Sequence, residues 1–177
     1  MQALNHELFL YLNAGPSPGP ALLAFAIFCA EYLVHVVTLG LAGVALFAPR
    51  RVRLQVAQAL LAVLLGTLLA WVVHRYWPQP RPFSLSLGSQ WLAHGDRAGL
   101  PSNHATGLFS LAFSLLWQRV WRAGAALVLV AVLVSWSRVY VGVHFPLDIV
   151  AALPVAVLAA AMASLPWQFG RRLRGPV

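Results

Sequence analysis

The chain gathers its apolar side chains into five runs, at residues 21–47, 54–77, 106–118, 123–139 and 147–165, separated by polar links. A hydrocarbon layer about 30 Å thick takes about 20 helical residues to cross, or about 9–11 in a tilted barrel strand. Inside it every backbone N–H and C=O must find a partner within the chain. Runs of this length meet that demand as helices. The expected fold is therefore all-α, a polytopic membrane helical bundle of five transmembrane helices, forming one domain over residues 1–177. Composition agrees: 60% of residues are hydrophobic and 9% charged, against about 25% charged in soluble domains. The third run is short and is predicted to begin inside the polar stretch before it. Upstream, Leu4, Leu8 and Leu12 recur at helical spacing around Asn5, His6 and Glu7, which predicts a short interfacial helix lying on the bilayer. That segment has no basic n-region and does not read as a signal peptide. Residues 13–20, rich in Gly and Pro, then break the chain.

The net charge of +8 comes entirely from arginine, and the arginines sit in the links. That placement reports topology rather than nucleic-acid binding. Five crossings put Arg50, Arg51, Arg53, Arg119, Arg122, Arg171, Arg172 and Arg174 on one side, eight in all, and Arg75, Arg81, Arg97 and Arg138, four, on the other. The positive-inside rule assigns the eight, with the C-terminus, to the cytoplasm. The long segment 78–103 and the 137–144 link then face outward. Trp71, Trp77, Trp117, Trp121, Trp136 and Trp167 lie at or near run ends, where interfacial indoles belong. Cys29 stands alone inside an apolar run, which excludes an internal disulfide and a cysteine metal site.

Both outward segments are polar in a specific way. In the stretch from Ser137 to Asp148, His144 and Asp148 are four apart. A helix starting near Phe145 lets that carboxylate take the imidazole N–H, fixing the tautomer and stabilising the imidazolium. A histidine held so serves as nucleophile or base. In the other segment, Arg81 lies between two prolines, and Pro101-Ser102-Asn103-His104 opens the third run. Ser102 is placed as an N-cap, and the free amides of that helix start, with Arg81 and Arg138, outline an anion site. Guanidinium groups suit phosphate because they offer planar, bidentate donors. Of the two histidines, His144 and His104, one can attack phosphorus while the other protonates the departing oxygen. A snorkelling arginine, a plain helix cap or a helix-end histidine explains each feature alone. Their convergence on one face is harder to explain that way.

These three blocks, Arg81-Pro82, Pro101-Ser102-Asn103-His104 and Ser137-Arg138-x5-His144-x3-Asp148, resemble the signature of the type 2 phosphatidic acid phosphatase superfamily, integral-membrane lipid phosphatases. The resemblance implies that His144 accepts the phosphoryl group, Asp148 orients it and His104 is the general acid. It also implies that Arg81, Arg138, Ser102 and the Asn103 amide bind the phosphate, with no metal or other cofactor. Two positions depart from the pattern. Where the family has Lys seven residues before the arginine this chain has His74, with Arg75 next to it as a substitute charge. Where the family has Gly it has Asn103, which also tolerates left-handed backbone. The five-span layout, the Ala30-Glu31-Tyr32 stretch and Pro80-Arg81-Pro82-Phe83 further resemble bacitracin-resistance-type undecaprenyl-diphosphate phosphatases. That implies a multi-pass protein of the bacterial inner membrane acting on undecaprenyl diphosphate at the outer face, its partners being that substrate and membrane lipids. Phosphatidylglycerophosphate, phosphatidic acid or a lipid A phosphate are the alternative substrates, because the motifs read the phosphate and not the lipid. Glu31, charged within the first run, is expected to pair with an active-site arginine or to sit near the outer interface. Trp77, Phe83 and Trp91 are candidates for a lateral opening. A histidine-ligated haem protein is the alternative of another class, but only His35 lies well inside an apolar run.

Overall fold

The computed structural model describes residues 2–172 and contains, among them, seven α-helices and no strand. In order they are α1 (Gln2–Leu12), α2 (Pro20–Glu31), α3 (Leu33–Phe47), α4 (Arg50–Tyr76), α5 (Asn103–Trp117), α6 (Trp121–Tyr140) and α7 (Pro146–Arg172). Arg174, one of the eight arginines assigned to the cytoplasm, lies outside the described residues.

Three helices, Arg50–Tyr76, Trp121–Tyr140 and the stretch Pro146–Trp167, are long and apolar enough to cross a membrane. The expected first span is broken: α2 and α3 qualify together but bend by 42° at Tyr32. Against the five crossings expected, three helices qualify by length and composition, or four with the bent pair. The difference lies in α5, which has 15 residues and is about 22 Å long. Its sequence explains why it can be short. Ala105, Thr106, Leu108, Phe109, Ser110, Leu111, Ala112, Ser114 and Leu115 are all buried, so protein rather than lipid surrounds it. Helices α4, α6 and α7 enclose it, around a core of Ala105, Leu108, Phe109, Ala131, Val134, Ala152 and Ala156.

Between helices in lipid, close packing of small residues takes over from the hydrophobic effect. Gly66 of α4 illustrates this: a Cβ there would lie 2.5 Å from Ser110 Oγ, 3.3 Å from Thr106 Cγ2 and 3.5 Å from Ala159 Cβ. Large apolar residues point away from the bundle instead, Leu39 at 73% exposure, Leu64 at 65% and Leu129 at 72%.

The N-terminal helix docks on the bundle end rather than standing clear of it. Phe9 is fully buried beside Val139 and Phe145, His6 stacks on Phe145 with centroids 5.1 Å apart, and Asn5 Oδ1 accepts the Leu147 N–H at 3.0 Å. Leu4 and Leu8 remain exposed. Past it, Asn13 clamps the segment between α4 and α5. Its Nδ2 donates to Ser89 O at 2.9 Å and Tyr140 O at 3.1 Å, and its Oδ1 accepts the Ser89 N–H at 2.8 Å.

Candidate active site

The turn from α6 into α7 positions His144. Gly142 has φ +84, a conformation other residues enter at a cost, and a Cβ there would run into the Ser89 carbonyl. The chain then folds back so that Arg138 O accepts Val143 N–H at 3.1 Å and His144 N–H at 3.3 Å. Helix α7 starts at Pro146, where proline's missing donor costs nothing, and Asp148 falls in its first turn. Asp148 Oδ2 accepts His144 Nδ1–H at 2.9 Å and the Phe145 N–H at 2.9 Å. The expected i, i+4 pairing is present, in a fully buried setting.

With its Nδ1 proton on Asp148, His144 has its lone pair on Nε2, and Arg81 Nη1 donates to that atom at 3.1 Å. Arg81 is itself held on several sides. Nη1 donates to Val143 O at 2.8 Å, Nε to Arg97 O at 2.8 Å and Nη2 to Ala98 O at 3.4 Å. Burial lowers the Arg81 pKa from its ordinary value, against the opposing pull of Asp148 and Asp96. His144 is held well below the usual histidine value, first by burial and then by Arg81, Arg138, His94 and His104. That shift favours the neutral imidazole.

The second block meets the third through the backbone, since Ser102 N–H donates to Asp148 O at 3.0 Å. Ser102 occupies the N-cap position of α5, but its side chain makes no cap hydrogen bond. Its Oγ, together with Nε and Nη2 of Arg138, is buried and has no partner among the described residues. Arg138 Nη1 reaches Ala30 O at 3.3 Å. Asn103, exposed at the first residue of α5, and His104 open on a cavity of about 660 Å³ that His144, Arg81, His74 and Arg75 also line. The two imidazoles thus share one chamber.

At the two departures from the family pattern, the structure separates the candidates. His74 Nε2–H donates to Pro101 O at 2.9 Å, so it braces the second block. Arg75 is exposed, its guanidinium carbon 5.8 Å from the Tyr76 ring centroid. Of the two placements expected for Glu31, a salt bridge to an active-site arginine is not formed among the described residues. The residue is exposed at the end of α2, and the one ion pair among the described residues is His144–Asp148. His35 Nδ1–H donates to Glu31 O at 2.8 Å, one helical turn away.

Two charge-bearing side chains of this chamber were not singled out as site residues from sequence. His94 packs edge-on to His144 with centroids 6.3 Å apart, and Arg97 lines the same cavity. His94 is held below the ordinary histidine value, first by burial, against a Gly95 backbone hydrogen bond that raises it, and then further by Arg81, Arg138 and Arg97. The signal for both was position alone: a His and an Arg in the segment closing over Arg81. Among the described residues no group of three or more His, Cys, Asp or Glu is placed to hold a metal ion.

A second hollow of about 480 Å³ joins the site at Asn103 and His104. It is walled by apolar residues of α3, α4 and α5, among them Val34, Val37, Leu41, Leu60 and Leu111. This hollow is an apolar cleft beside α5. Trp77, Phe83 and Trp91 line neither hollow.

Fold and site together describe a helical protein of membrane-crossing type, with an arginine-walled, histidine-bearing chamber at one end of the bundle. The chain belongs to the PAP2 superfamily, whose model matches residues 55–172 and so takes in all three blocks. It is 34% identical over 169 residues to YbjG of Escherichia coli (strain K12), provisionally named an undecaprenyl-diphosphatase, covering 95% of this chain and 85% of that one. It is 27% identical over 155 residues to the undecaprenyl-diphosphatase BcrC of Bacillus subtilis (strain 168), covering 88% and 80%. The crystal structure of Aquifex aeolicus LpxE superposes with a TM-score of 0.72 at 26% identity, over 90% of this chain and 94% of that one.

Proposed function

We propose that this chain is a lipid phosphatase that removes the terminal phosphate of undecaprenyl diphosphate through a phosphohistidine on His144. The observation that carries the reading is the junction at Asn103 and His104. There a chamber bearing Arg75, Arg81, Arg97, His104 and His144 meets an apolar cleft suited to a lipid chain. The names of the two relatives, YbjG and BcrC, point the same way.

In the proposed reaction His144 Nε2 attacks the terminal phosphorus. An Nε2–P bond forms, the P–O bond to the lipid phosphate breaks, and His104 delivers a proton to the departing oxygen. Asp148 keeps the proton on Nδ1 and balances the positive charge that appears on the ring. Water then attacks phosphorus, His104 takes its proton, and the Nε2–P bond breaks to release inorganic phosphate. Arg81 and Arg138, with Ser102 and the Asn103 amide, hold the equatorial oxygens as charge spreads onto them. Before the attack, Arg81 exchanges its hydrogen bond to Nε2 for one to the substrate's terminal phosphate, freeing the lone pair. Arg75 at the rim meets the second phosphate.

The arginine count supports a topology with this chamber outside the cytoplasmic membrane and the C-terminus inside. Helix α5, although short, lines polar hollows at both of its ends, as a fifth crossing would. A substrate panel tests the reading. Purified protein should release phosphate faster from undecaprenyl diphosphate than from phosphatidylglycerophosphate, phosphatidic acid or a lipid A phosphate, and His144→Ala should release none from any. Preference for another of these lipids would move the substrate assignment. Full activity of His144→Ala would remove the mechanism.

A further inference from the structure

At the end of the bundle away from His144, the start of α4 and the ends of α5 and α7 enclose a second polar cavity, of about 1020 Å³. Arg50, Arg51 and Arg119 line it, with Gln58, Trp117 and Trp167. Helix α4 is 27 residues long, so about 40 Å separates its two ends, and this hollow is distinct from the catalytic chamber.

Three observations make it a built anion site. First, its charge has no acidic counterpart among the described residues. None of the described residues that line it carries a carboxylate, and the four Asp and Glu side chains of the chain belong to the histidine end. Glu7 lies in α1, Glu31 follows the Ala30 that accepts from Arg138, Asp96 accepts from Ser84 in the segment over Arg81, and Asp148 holds His144. Arg50, Arg51 and Arg119 are all exposed at this end, where basic side chains at a membrane boundary attract anionic headgroups. Second, the Gln58 side chain is only 4% exposed, lines the cavity and has no hydrogen-bond partner among the described residues. A buried primary amide is costly unless paired, and the accessible side of this one is the hollow. Third, the walls are fixed. Gln118 Nε2 ties α5 to α4 through Gln55 O at 3.1 Å. Arg119 adopts φ +62, with its N–H on Leu116 O at 2.9 Å. Helix α4 begins at Arg50 after Pro49, with no side-chain cap on its first turn, so its amide end adds to the positive field.

We propose that this cavity binds the phosphodiester headgroup of an anionic phospholipid from the leaflet opposite the catalytic chamber. Arg50, Arg51 and Arg119 hold the phosphate, Gln58 pairs with a headgroup oxygen, and the indoles of Trp117 and Trp167 border the headgroup. The inference is independent of the catalytic reading. Topology alone asks only for positive charge at this end. A site asks for guanidinium geometry, because lysine keeps the charge and loses the bidentate fork. That difference gives the test.

The purified full-length protein in neutral detergent is titrated with phosphatidylglycerol, phosphatidylcholine and inorganic phosphate, following thermal unfolding and lipid retention by native mass spectrometry. Phosphatidylglycerol, which has no terminal phosphate to hydrolyse, should raise the melting temperature saturably, and phosphatidylcholine should not. The triple variant Arg50→Lys, Arg51→Lys, Arg119→Lys should weaken that binding about tenfold or more. Gln58→Leu should weaken it while leaving the lipid-free melting temperature unchanged or higher. Arg81→Gln, altered only in the catalytic chamber, should respond as the wild type does. An equal response to phosphatidylcholine, or an unchanged response in the lysine variant, would overturn the site. A full response to inorganic phosphate would overturn its assignment to a lipid.

Discussion

At His144 the two ring nitrogens have separate neighbours, Asp148 at Nδ1 and Arg81 at Nε2, each within 3.1 Å. Asp148→Asn should let the ring settle in the wrong tautomer, so turnover should fall roughly 10²–10⁴-fold, as for other carboxylate–histidine pairs, with KM little changed. Steady-state kinetics of the variant check this. The depressed pKa of His144 makes a second prediction. Its folded value lies below the unfolded value of about 6.5, so the neutral ring contributes fully to stability above pH 6.5. That contribution is lost as pH falls from there toward the folded value. Melting temperature should therefore decline below about pH 6.5, and His144→Asn should flatten that decline. The acid limb of kcat/KM set by the nucleophile should likewise lie below pH 6.5. The spacing of His144 and Asp148 made their pairing legible in sequence. His94 was not legible, because its place beside His144 depends on how the whole 77–102 segment folds over, and no local pattern encodes that.

At the scale of elements, the turn between α6 and α7 rests on Gly142. Gly142→Ala should cost about 1–2 kcal/mol from left-handed strain alone, and the contact with Ser89 O should displace the loop carrying His94 and Arg97. Thermal unfolding and activity should fall together; a stable but inactive variant would point to the loop alone. Helix existence was readable from apolar runs, while helix extent was not. The bend at Tyr32 has no proline or glycine to announce it. Ser102 shows a subtler gap: the sequence marks the start of α5, yet its hydroxyl is left free of the capping bond that its position suggests. The wall of the apolar cleft was missed because its residues are ordinary Val and Leu from three helices, without distinguishing chemistry until packed.

The whole molecule is polarised. Its carboxylates and histidine chamber occupy one end, and Arg50, Arg51, Arg53, Arg119 and Arg122 the other. On a Cys29→Ala background, Gln90→Cys in the segment over the chamber should react with a membrane-impermeant thiol reagent added outside intact cells. Ala123→Cys at the start of α6 should react only after permeabilisation. The reverse pattern would invert the orientation. Central to the account is that His144 Nε2 takes the phosphoryl group, and rapid quenching with undecaprenyl diphosphate labelled in its terminal phosphate tests this most directly. The account predicts an acid-labile, alkali-stable label on the wild-type protein, located at residue 144 and absent from His144→Ala. Turnover with no such label at any quench time, or the same label in His144→Ala, would contradict it.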